Sequence, residues 1–136
     1  MTKTTSQAKG TFKITNWDEG PYAELEGAPR LTHTRVSVAY TGDLAAEGTS
    51  ESLMFYPQET AATYFGFERI EGRLGERSGS LVLEARGTYE DGTATTTWTV
   101  VPRSGTGELE GLRGEGGMVA GQGDAEVPYR LDYWFE

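Results

Sequence analysis

The chain of 136 residues has no cysteine and a single histidine, and none of its apolar runs reaches the ~18 residues of a membrane span. Without cysteine there is no disulfide, no thiolate nucleophile and no thiolate metal site, so stability must come from a packed core. A reducing cytoplasm is the compartment this predicts. One histidine, His33, cannot build a metal centre, and no acids stand near it at ligand spacing. No metal and no cofactor are expected, and His33 belongs at a surface or rim, with catalysis as an acid or base the alternative. Positive charge is also scarce. Twelve Lys plus Arg against twenty-one Asp plus Glu leave a net charge of −9, which opposes contact with phosphate backbones and anionic lipid. Neither nucleic acid nor membrane is an expected partner. The first ten residues are polar and lack the apolar centre of a signal peptide.

Glycine, by contrast, is abundant: nineteen residues, about twice the ~10 that average usage would supply. The excess falls at turns between threonine-, valine- and aromatic-bearing stretches, which favours an all-β chain. Residues 1–9 read as a polar tail and 10–136 as one domain. Strand one is expected from Gly10 to Trp17, with Phe12 and Ile14 on one face. Asp18 to Pro29, with two prolines and four acids, reads as a loop and a candidate lid.

Strand two, Leu31 to Thr41, alternates Val36, Val38 and Tyr40 with His33, Arg35 and Ser37. Strand three, Leu44 to Tyr56, is mixed: Ser50, Ser52, Met54 and Tyr56 share one face, Glu51, Leu53 and Phe55 the other. Strand four, Ala62 to Leu74, sets Tyr64, Gly66, Glu68, Ile70 and Leu74 against Phe65, Phe67 and Arg69. Strand five follows Gly75-Glu76-Arg77-Ser78, and Asp91-Gly92 is the strongest hairpin signal because both positions tolerate positive φ. Strand six is Thr93 to Val101, strand seven Gly114 to Ala120 and strand eight Val127 to Phe135. Eight short-spaced strands leave an antiparallel barrel or a two-sheet sandwich.

Ser104 to Gly117 is the densest glycine stretch, and it is neither a Walker loop nor a dinucleotide fingerprint. Its acids Glu108, Glu110 and Glu115 oppose phosphate binding, so it reads as a bend into strand seven. No nucleophile elbow occurs, because Gly75 to Gly79 carries one residue too many before Ser78.

Gly10-Thr11-Phe12, Trp17-Asp18-Glu19, Pro21-Tyr22, Tyr40-Thr41-Gly42-Asp43, Glu47-Gly48-Thr49, Phe67-Glu68-Arg69 and the Gly75 to Ser80 turn occur in a recognisable order. With Trp98 to Pro102, Ser104 to Leu109 and Gly111 to Gly116, this order resembles the bacterial proteins grouped as domain of unknown function 3224. Members look like allene-oxide-cyclase barrels, an architecture shared with plant dirigent proteins. The resemblance implies a closed eight-stranded antiparallel β-barrel of calycin type with a tapered, mainly apolar pocket. It carries no activity with it.

If the Glu68 face is the interior, Glu68 is a carboxylate in an apolar cavity, where desolvation raises its pKa and suits it to proton transfer. The alternative is an acid paired with arginine at a barrel mouth. Glu51, on the neighbouring strand, is the second catalytic candidate if it faces Glu68, and otherwise an exposed strand acid. Tyr64, Trp98, Tyr133, Phe135 and Met54 are candidates to line a ligand cavity, or core, since an eight-stranded interior is nearly filled by side chains. Three functions stay open: a cofactor-independent cyclase or isomerase acting on a hydrophobic metabolite, a carrier or sensor of such a molecule, or a filled barrel acting through its outer face as a homo-oligomer. A cavity of ~300 Å³ or more with a convergent acid would support the first two.

Overall fold

The computed structural model describes residues 4–121 and 123–136. Its eight strands, β1 (Ser6–Pro21), β2 (Arg30–Gly42), β3 (Leu44–Gln58), β4 (Ala61–Leu74), β5 (Arg77–Glu90), β6 (Thr93–Val100), β7 (Leu112–Gly121) and β8 (Val127–Phe135), pair antiparallel in chain order. β1 also pairs with β8, and the sheet closes into a barrel. Closure leaves no sheet edge to template aggregation.

Closure also explains the first departure from expectation. Ser6 to Lys9 are not tail: Ser6 pairs with Tyr133 and Ala8 with Leu131, and Ala8 is fully buried. These polar residues carry little strand signal of their own; the open edge of β8 recruits them by hydrogen bonding. Met1 to Lys3 of the expected tail lie outside the described residues, as does Gln122 of the turn before β8. The expected lid is shorter too. Asp18 to Pro21 extend β1 against Thr32 to Arg35, leaving residues 22–29 as the loop.

Residues paired across strands share a face, so register decides what points inward. On β2 to β4 the inward rows include Thr34, Val36, Val38 and Tyr40, then Gly48, Ser50, Ser52 and Met54, then Tyr64, Glu68 and Ile70. β1 carries a bulge between Ile14 and Asn16. The extra residue shifts the inward parity, so that Trp17 and Glu19 follow Phe12 and Ile14 on the same face.

The two ends differ. At one, Leu44, Leu74, Leu81, Val100 and Leu112 are essentially inaccessible to solvent, and a 3-10 turn over Gly107–Leu109 inserts the equally buried Leu109 as a plug. Thr106 N donates to Ser80 O at 2.9 Å, and Ser80 N donates to Thr106 Oγ1 at 3.1 Å, tying the plug to β5. The glycine-rich stretch therefore divides. Its first half is the plug, closed by Gly111 at φ +86°, and its second half is β7 itself, which starts at Leu112 rather than Gly114. The opposite end, where β1 enters the 22–29 loop, stays open.

Candidate functional site

Above the plugged end the barrel holds a cavity of about 180 Å³ whose lining reaches out to the half-exposed Ile14 and Trp17. This falls short of the ~300 Å³ set as the mark of a ligand site. The reason is packing: Phe12, Tyr40, Trp98 and Tyr129 fill the middle of the barrel with ring centroids 5.4–6.4 Å apart. The interior is neither filled nor large. It fits a molecule of roughly one ring, since ~150 Å³ of dry cavity holds benzene.

Glu68 lies on the cavity wall, and its exposure is 7%. β4 places it inward beside Ser50 of β3 and Leu83 of β5. Tyr40 Oη donates to Glu68 Oε2. Among the described residues that is the one hydrogen bond this carboxyl receives, which leaves Oε1 to whatever enters. Burial pushes the carboxyl up to about 7, and the Tyr40 hydrogen bond opposes that rise only in part. The Tyr40 phenol is itself raised well above its ordinary range, by burial first and then by the Glu68 charge and hydrogen bond. Gly48 makes the pair possible. A Cβ there would collide with Glu68 Oε2 and stand 3.2 Å from Tyr40 Cε2.

The wall around this acid is chiefly apolar, with Phe12, Val36, Val38, Ala85, Trp98 and Val127 facing the space. Nearer the mouth, Tyr64 Oη and Thr96 Oγ1 share a hydrogen bond of 2.6 Å. Two hydroxyls need only one proton between them, so the second is free to bond a guest. Burial raises the Tyr64 phenol, with Thr96 acting in the opposite sense. At the rim Glu19 accepts from Tyr56 Oη at 2.6 Å, Thr32 Oγ1 at 2.7 Å and Trp17 Nε1 at 3.3 Å. Partial burial alone would raise Glu19, yet those bonds and the nearby Arg30 charge hold it below its ordinary value. The barrel thus carries two acids of opposite character, a protonatable one inside and an ionised one at the rim. Among the described residues no cluster of three or more His, Asp or Glu side chains is placed to hold a metal ion.

The candidate residues separate cleanly. Glu68, Tyr64, Trp98 and Met54 all face the cavity. Glu51 does not. It pairs with Phe67 while Ser50 pairs with Glu68, so it points outward, where it meets His33 Nε2 at 2.9 Å and Arg35 Nη1 at 3.6 Å. Tyr133 and Phe135 lie inward of β8 but at the plugged end, stacked edge-on with centroids 6.2 Å apart, and Arg77 covers Phe135 at 4.2 Å. They are core, not cavity wall. Tyr40, Phe12, Ser50 and Thr96 complete the site without having been singled out. Tyr40 stood in the Val36, Val38, Tyr40 row, but its approach to Glu68 across β3 depends on the missing side chain of Gly48.

A family model described as "Protein of unknown function (DUF3224)" matches residues 8–133. A crystal structure of a protein with unknown function from the DUF3224 family of Shewanella oneidensis MR-1 superposes with a TM-score of 0.79 at 28% identity, covering 98% of this chain and 99% of that one. No curated protein matches.

Proposed function

The chain belongs to the DUF3224 family of proteins of unknown function, and we propose that its barrel binds a small apolar molecule and moves a proton on it without a cofactor, as an isomerase or cyclase does. One observation carries this reading: a carboxyl pushed up to about 7, buried on the wall of an apolar cavity and hydrogen-bonded through one oxygen alone. Because Tyr40 donates to Oε2, the proton of the acid form belongs on Oε1, the oxygen left without a hydrogen-bond partner among the described residues. A guest with a carbonyl oxygen suits that donor. The carboxylate form is the matching base: it takes a proton from carbon next to a carbonyl and returns it to another carbon. No electrons change hands and no co-reactant is needed. Proton transfer is fastest when donor and acceptor titrate near the working pH, and the apolar wall strengthens charge interactions during the step.

The test uses cyclohexenone in heavy water, with deuterium entry beside the carbonyl followed by NMR. Wild type should accelerate exchange, and Glu68→Gln should bind the ketone equally well while losing at least ~10²-fold of that acceleration, the usual weight of one general base. Equal exchange in both proteins, with binding retained, would assign the barrel to carriage. Failure of single-ring apolar molecules to bind at all would end the proposal. Native mass spectrometry of protein from its own host would identify the natural guest.

A further inference from the structure

The outer face of the barrel carries a grid that its interior does not explain. Reading straight across β2, β3, β4 and β5, one row is Leu31, Phe55, Thr63 and Thr88; the next is His33, Leu53, Phe65 and Arg86; the third is Arg35, Glu51, Phe67 and Glu84. Leu53, Phe55, Phe65 and Phe67 are each 42–51% exposed. Phe65 and Phe67 meet edge-on at 5.9 Å, and a groove of about 640 Å³ runs between Leu31, Leu53, Phe55, Phe65 and Arg86. Single apolar residues on a surface need no explanation, but four on adjacent strands form a patch of the kind that marks an interface.

We propose that this patch is the interface of a symmetric dimer of the chain. Two features select a second copy as the occupant. The first is charge. Within the grid Arg35 and Arg86 balance Glu51 and Glu84, whereas the whole chain carries −9, so two copies meeting here bring no excess of like charge into the contact. The second is self-complementarity. Phe65 stands directly beside Arg86, and Phe67 directly beside Glu84. A two-fold axis lying across the strands between these two rows sets Phe65 over Phe67 of the second copy and Arg86 over Glu84 of the second copy, each contact occurring twice. That reciprocity is what a two-fold interface requires. In the single chain Arg86 Nη2 reaches its own Glu84 Oε1 at 3.2 Å with both side chains partly in water, a pair free to exchange partners. Sheets meeting face to face stand ~10 Å apart, which aromatic side chains span.

Sedimentation velocity over a range of concentrations tests this. Wild type should be dimeric, Phe67→Asp and Arg86→Glu should each weaken association at least about tenfold, and the reversed pair Glu84→Arg with Arg86→Glu should restore it. The reversed pair guards against misfolding, because a protein damaged by either change would not recover. A wild-type monomer, whether its patch is bare or covers another protein, overturns the proposal. A dimer untouched by Phe67→Asp and Arg86→Glu overturns it as well.

Discussion

Gly48 occupies the one inward position of β3 from which a side chain would strike both partners of the central pair. Its Cβ would collide with Glu68 Oε2, and Tyr40 Cε2 is 3.2 Å away. The atom it strikes is the far end of the Glu68 side chain, so Glu68 must give way, inside a wall where Val38 and Ile70, which flank Gly48 in register, are buried. Gly48→Ala should therefore cost about 1–3 kcal/mol, the range of an overpacked core. It should also turn Glu68 away from Tyr40. Urea unfolding measures the cost, and the Glu68 carboxyl signal in ¹³C NMR reports the titration. A variant with unchanged stability and an unchanged Glu68 midpoint would show that the pair does not depend on this gap. Glu68 was legible as the one acid in a row with Gly66, Ile70 and Leu74, a row that burial places inside the barrel. Its partnership with Tyr40 was not, because it spans β3 through a side chain that is missing.

At the scale of elements, strand positions follow from alternation and turn chemistry. Asp91 at φ +48° and Gly92 at φ +84° make the hairpin that this dipeptide favours, and β8 runs from Val127 to Phe135 as the alternation of Tyr129, Leu131 and Tyr133 predicts. Strand three was harder for a physical reason. Its inward row holds Gly48, Ser50 and Ser52, while its outward row holds Leu53 and Phe55, reversing the usual assignment of apolar residues to the interior. The face of Glu51 was therefore undetermined until register placed it beside Phe67. The bulge in β1 was equally invisible, because one added residue among Ile14, Thr15 and Asn16 leaves no compositional trace. The plug is the element whose removal should matter most. Leu109 is 1% exposed and seals the barrel end from a single 3-10 turn. Leu109→Ala should cost about 2–5 kcal/mol by the transfer and cavity terms together. Chemical denaturation with an unchanged m-value checks it; a loss below ~1 kcal/mol would mean the plug is dispensable.

For the whole molecule, the same acid that equips the cavity also taxes the fold. Glu68 takes up its proton near pH 7 when folded, against 4.5 for the ordinary side chain. Between those values the native state binds more protons than the unfolded chain, so stability falls as pH rises. Below about 4.5 both states are protonated and the penalty is absent; above about 7 both are ionised and it is complete. A shift of this size corresponds to roughly 3 kcal/mol. Glu19 acts in the opposite sense, since its folded value is lowered; its contribution is already full above its unfolded value and is lost only in stronger acid, so it leaves the window between 4.5 and 7 to Glu68. Wild type should therefore melt at a lower temperature at about pH 8 than at about pH 5, while Glu68→Gln, neutral throughout, should lose most of that slope and exceed wild type on the alkaline side. Parallel melting curves for the two proteins would mean that Glu68 titrates at an ordinary value, and the acid proposed for proton transfer would then have no reserve of protons at neutral pH.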